Sequence, residues 1–230
     1  MTDTEIRAAI TSGAIAIRPL GDEQLQPASY DLRLGDRAII TKSVDFEKLR
    51  ERVESESVPE INVAQEGSLR IPAGALALVV TKERVMLSAE YAGHLGLRSS
   101  FARKGLLLLA GLQVDPGFDG HLVLGLANLS PRAVHLSYEE PIATFELHHL
   151  TRAAATAYSG MYAGRQLKAV IPRADADYLR TIETLSVSDL TRAQLRLSDS
   201  VAALSRDVRT VYLPIALAIL VAFVVQIILH

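Results

Sequence analysis

From Leu69 to Leu150 no stretch of the chain stays apolar for long before a turn residue interrupts it. Pro72, Gly74, Pro116, Gly117, Pro131 and Pro141 punctuate runs such as YAGHLGL, LVLGLANL, AVHLSY and PIATFELHHL. Short apolar runs bounded by proline and glycine read as strands. Many of them in series lead to a mainly β fold, a sandwich or barrel-like domain. At 230 residues, 49% of them hydrophobic, the chain has enough material for one good core and an appendage.

Within that β region, residues 96 to 128 carry chemistry as well as core. Arg98, Ser99, Ser100 and Arg103 place two guanidinium groups and two hydroxyls in one short turn, a set suited to forked, charge-assisted hydrogen bonds to phosphate oxygens. Twelve positions on, Val114-Asp115-Pro116-Gly117-Phe118-Asp119-Gly120 supplies a carboxylate, an aromatic face and two glycines that let backbone approach a ligand. Read as residues alone, the arginines serve equally as solvated charges and the turn as an ordinary hairpin.

RSSFARKGL followed by VDPGFDGHLVLGLAN resembles the dCTP deaminase/dUTPase superfamily, and Gln26-Pro-Ala-Ser-Tyr-Asp31-Leu-Arg-Leu-Gly35 resembles a second motif of the same group. The resemblance covers residues 1 to about 170 and implies a distorted jelly roll, a homotrimer, and a deoxynucleoside triphosphate (dUTP or dCTP) bound with Mg2+ between subunits. It implies that Arg98, Ser99, Ser100 and Arg103 hold the phosphates, that Phe118 packs under the deoxyribose, and that Asp31 orients metal-bound water. Tyr158, Tyr162 and Arg165 match a late segment that closes over phosphates in such proteins, where Met161 replaces the usual lysine. The same segment reads about as well as a linker leaving the β domain.

The implied chemistry divides at one position. Deaminases of this group use a glutamate in the strand after the Asp-Pro-Gly turn, and Gly125 occupies that place here, so deamination is disfavoured. The dUTPase branch orients water through the aspartate of the turn, here Asp115, which leaves diphosphohydrolysis as the expected activity. Against it, Thr144 replaces a customary glutamine and the glycine-rich dUTPase tail is absent. A nucleotide sensor coupled to a transmembrane effector, of the kind a defence pathway would use, is the alternative class.

Composition removes several other functions. The chain has no cysteine, which excludes thiol catalysis and Cys-ligated zinc deaminases. Its six histidines lack metal-ligand spacing. A net charge of −2 and a pI near 6.3 offer no long-range attraction to nucleic acid.

Three further segments complete the reading. Residues 2 to 12 form an amphipathic helix capped by Thr2 or Asp3 and closed by Gly13, and residues 42 to 68 a variable loop. From Val187 a heptad (Val187, Gln194, Val201, Val208 with Leu190, Leu197, Leu204, Val211) predicts a coiled-coil helix over a 171–210 linker and helix region, with a dimer as its own preference. Packing of that apolar face against the β domain is the other outcome. Residues 211 to 229 are uncharged and predict one transmembrane helix, a C-terminal tail anchor in the lipid bilayer that leaves the soluble domain in the cytoplasm.

Overall fold

The computed structural model describes residues 1–43, 60–109, 111–160, 171–181, 183–184 and 187–228. The chain divides into two compact units, Met1–Ser186 and Val187–His230.

The first unit begins with helix α1 (Asp3–Thr11). A capping box fixes its start, with Thr2 accepting from the Glu5 N–H and Glu5 from the Thr2 N–H. Then follow β1 (Ile15–Arg18), β2 (Leu25–Gln26), β3 (Ser29–Ile40), β4 (Lys42–Ser43), β5 (Ile61–Asn62), the short turn α2 (Val63–Glu66), β6 (Ser68–Ile71), β7 (Leu76–Leu87) and β8 (Tyr91–Leu97). The helical turn α3 (Ser99–Ala102) leads into β9 (Leu106–Leu108), β10 (Gln113–Val114), β11 (Asp119–Asn128), β12 (Val134–Ser137) and β13 (Pro141–His149), and α4 (Arg173–Thr181) and β14 (Glu183–Thr184) end the unit. Mainly β architecture is as expected. Ten of the strands form one sheet, ordered β10-β8-β13-β3-β7-β11-β9 with β1, β2 and β5 attached, curled into a half-barrel, and β12 with β6 and β14 with β4 form two small two-stranded sheets.

The curl is built on β3. Its first half pairs with β13 (Thr144 opposite Asp31) and its second half with β7 (Ala38 opposite Val79), and the register slips between Leu34 and Ala38. Tyr30, Leu32, Leu34 and Ala38 are buried in the main core, and Ile39 in a second cluster with Val80, Ile171 and Leu179. Gly35 sits at the crossing. A Cβ there would lie 2.6 Å from the Val80 carbonyl oxygen, so only glycine lets the strands pass so closely. Strand β11 keeps clean alternation instead: Leu122, Leu124 and Leu126 point into the core, while His121, Val123 and Gly125 face outward and are half-buried. Above that outer face lies α4, whose Ala176 and Leu179, with Ile171 before it, pack on Ile39 and Val80. The interval read from sequence as linker therefore includes a docked helix.

The second unit contains α5 (Val187–Asp207), a π-helical stretch Val208–Tyr212, and α6 (Leu213–Ile228). One expectation is corrected here. The apolar run that was to span a bilayer begins inside the π-helical stretch, and the regular helix after it has 16 residues, about 24 Å at ~1.5 Å per residue against a hydrocarbon core of roughly 30 Å. Among the described residues no helix is long and apolar enough to cross a membrane. The transmembrane helix, the tail anchor, the lipid bilayer as partner and the localisation derived from them are withdrawn, and with them the membrane-coupled effector. Residues 187–207 are helical as the heptad requires, and its Leu197, Val201 and Leu204 are exposed in the single chain.

Candidate functional site

Strand β8 runs directly into the arginine-serine turn. The Arg98 N–H donates to the Ile142 carbonyl at 3.0 Å, and the Ala102 and Arg103 N–H groups return to Arg98 and Ser99 at 3.1 and 3.0 Å. Phe101 is buried and anchors the turn, which leaves Ser99, Ser100 and Arg103 exposed. Arg98 reaches sideways, its Nε 3.5 Å from Asp31 Oδ2. The Thr144 hydroxyl donates to Asp31 Oδ1 at 3.4 Å, since Thr144 stands opposite Asp31 in the β13–β3 ladder. Burial raises the Asp31 pKa above the ordinary carboxylate value, and Arg98 and then Thr144 oppose that shift. Asp31 is thus the anionic partner of Arg98.

The Asp115–Gly120 turn builds a second place. The Phe118 N–H closes it on the Asp115 carbonyl at 3.1 Å, and Tyr158 N–H binds the Pro116 carbonyl at 2.8 Å. Gly117 has φ +83, and a Cβ on it would fall 2.7 Å from Ala157 Cβ, so the turn lies flush against residues 157–158. Phe118 and Tyr158 stack tilted, with centroids 5.8 Å apart. Gln113 Nε2 donates to Asp115 Oδ1 at 2.6 Å and holds the carboxylate. A cavity of about 560 Å³ opens here, lined by Asp115, Phe118, His121, Gly125 and Tyr158, with Asp175 and Tyr178 of α4 on its far wall. His121 Nδ1 lies 3.0 Å from the Thr81 carbonyl, so it carries the proton and Nε2 is left as an acceptor. Gly125 opens the floor: a Cβ there would sit 3.3 Å from Leu109 Cβ.

Sequence-expected residues therefore fall in two groups. Asp115, Phe118 and Tyr158 share the cavity, whose lining among the described residues contains no lysine or arginine. Arg98 pairs with Asp31, Ser99, Ser100 and Arg103 follow it in the same exposed turn, and none of the four lines the cavity. Tyr162 and Arg165 lie outside the described residues. Sequence reading missed Asp175, Tyr178 and Leu179, although apolar residues three apart in 173–181 mark a helix face. As for Mg2+, both Asp31 oxygens are engaged, and among the described residues no three His, Asp or Glu side chains converge to hold a metal ion. The protein groups do not form a metal cage of their own.

Residues 1–150 match the family model described as dCTP deaminase-like. The chain is 40% identical over 152 residues to a dCTP deaminase of Thermococcus sibiricus, an alignment covering 66% of this chain and 86% of that protein. It is 33% identical over 175 residues to a dUMP-forming dCTP deaminase of Methanopyrus kandleri, covering 71% and 90%. Among solved structures, the 2'-deoxycytidine 5'-triphosphate deaminase of Agrobacterium tumefaciens superposes with a TM-score of 0.52 at 19% identity over 65% of this chain, which spans 47% of that one; this likeness concerns the fold.

Proposed function

Since the chain belongs to the dCTP deaminase-like family, we propose that it binds a deoxynucleoside triphosphate and hydrolyses it to the monophosphate and pyrophosphate, without deaminating the base. The observation that carries this reading is the composition of the cavity: the carboxylates of Asp115 and Asp175, two stacked aromatic rings, and, among the described residues, no cation to meet a phosphate. Such a lining suits a sugar and base. The phosphates then belong on the arginine-serine turn of a neighbouring protomer, so that the site is complete only in an oligomer, with the homotrimer implied by the family resemblance as the proposed state. Exposed Leu107, Leu109, Leu112 and Leu129 around β9, the edge strand of the sheet, supply an apolar surface of the kind that association covers.

In this mechanism Arg98, Ser99, Ser100 and Arg103 grip phosphate oxygens, and Asp31 keeps the Arg98 guanidinium from folding back. Phe118 and Tyr158 support the sugar and base. Asp115, held by Gln113, accepts a proton from water as its oxygen bonds to the α-phosphorus. The α–β bridging P–O bond breaks and pyrophosphate leaves. Mg2+ enters as an ion carried by the triphosphate, where it neutralises charge.

Gly125 supports the exclusion of deamination, because no side chain stands at that point of the floor to move a proton. Full-length protein incubated with dUTP or dCTP and Mg2+ is the test. Pyrophosphate release that disappears in Asp115→Ala is the expected result; deoxyuridine nucleotide formed from dCTP with its triphosphate intact overturns it.

A further inference from the structure

Six cations of the first unit pair with a carboxylate: Arg7 with Asp22, Arg33 with Glu83, Arg37 with Glu60, Lys82 with Glu139, Arg84 with Asp119 and Arg98 with Asp31. Lys104, Arg132 and His135 line a separate cavity of about 390 Å³, and among the described residues no acidic residue lines it with them. Arg70 stands opposite His135 in the β12–β6 ladder. None of these four makes an ion pair among the described residues.

The cavity wall is held in place before any ligand arrives. Buried Asn128 sends its amide to the carbonyls of Ile71, Pro72 and Arg132 at 3.0, 3.0 and 2.8 Å. Its Oδ1 accepts from the Ser130 N–H at 3.0 Å and the Ser130 hydroxyl at 2.7 Å. On the other side Gly105, at φ +90, lies so close to Ser130 that a Cβ would come within 2.8 Å of its side chain. Lys104 extends over the Phe101 ring, 4.8 Å from its centroid. A prefolded loop loses little freedom when an anion binds.

We infer that this cavity is an anion site for a small, multiply charged phosphate ligand of the pyrophosphate class, separate from the Asp115 cavity. Lys104 and Arg132 supply the fixed charge and His135 a ring nitrogen. The concavity and the chain's net charge of −2 favour a compact anion over a polynucleotide, which needs an extended basic track.

Titration calorimetry of the full chain with inorganic pyrophosphate, without nucleotide, tests the site. Saturable binding is expected, weakening from about 50 to about 200 mM salt. The Lys104→Ala/Arg132→Ala pair, both exposed side chains, should weaken it at least about tenfold, and Lys104→Gln by less. Arg98→Ala removes whatever pyrophosphate the arginine-serine turn binds, and the affinity of the remaining Lys104–Arg132 site should stay within about threefold. Binding that survives the double substitution but disappears in Arg98→Ala overturns the inference, as does the absence of saturation, or displacement of pyrophosphate by a DNA oligonucleotide at lower concentration.

Discussion

Two regions joined through the same ten-stranded sheet have opposite character. Around Arg98 the surface is exposed and rich in donors, with a single buried carboxylate behind it. Around Asp115 it is concave and aromatic, and among the described residues carries acceptors without a cation. Neither region alone suits a nucleoside triphosphate, which is strongly anionic at one end and flat and neutral at the other. On the function proposed above, the two are halves of a site assembled between copies of the chain.

The sharpest way to break this division is to remove the reactive half. Asp115→Ala should lower pyrophosphate release about 10³-fold while nucleotide affinity, measured by calorimetry, changes far less. Activity that persists would place the chemistry elsewhere. Removing the gripping half should act on binding: Arg98→Ala is expected to raise KM about 10- to 100-fold, the worth of a charged hydrogen bond. Mixing Arg98→Ala protein with Asp115→Ala protein should then restore about a quarter of wild-type activity, the share of sites that combine two intact halves in a cyclic oligomer. No recovery on mixing would mean that each chain works alone.

A smaller effect concerns the carboxylate behind the arginine. The folded-state pKa of Asp31 is raised, chiefly by burial, so between the ordinary value near 3.8 and the raised one the folded state binds more protons than the unfolded state. Stability therefore falls as pH climbs through that window and is flat above it. Melting temperature against pH should show this loss in the wild type and not in Asp31→Asn. The smallest change is expected at the rim, where Tyr178→Ala should weaken nucleotide binding about five- to tenfold with kcat unchanged, and Tyr178→Phe should bind as wild type.

Much of this was legible in the chain because local rules carry it. The strand runs, the Thr2 cap, the Asp115 turn and the Arg98 turn all follow from residue type and spacing, and each stands where that spacing predicts. What was not legible depends on distant pairings. Thr144 meets Asp31 only through the β13–β3 register, and α4 reaches the cavity only by packing on Ile39 and Val80. The terminal segment misled for a different reason. Uncharged composition identifies an apolar stretch, but the length of the helix depends on where regular hydrogen bonding begins, and here it begins at Leu213.

Gly35 has a consequence for any search by random substitution. Both halves hang from the strand that crosses over Val80 at this glycine, so even alanine there would wedge the crossing open and tilt Asp31 and the β7–β11 arm apart. Such a variant would lose activity while every presumed contact residue stayed intact. A survey scored on turnover alone would mark Gly35 as part of the machinery, though its contribution is the absence of a methyl group.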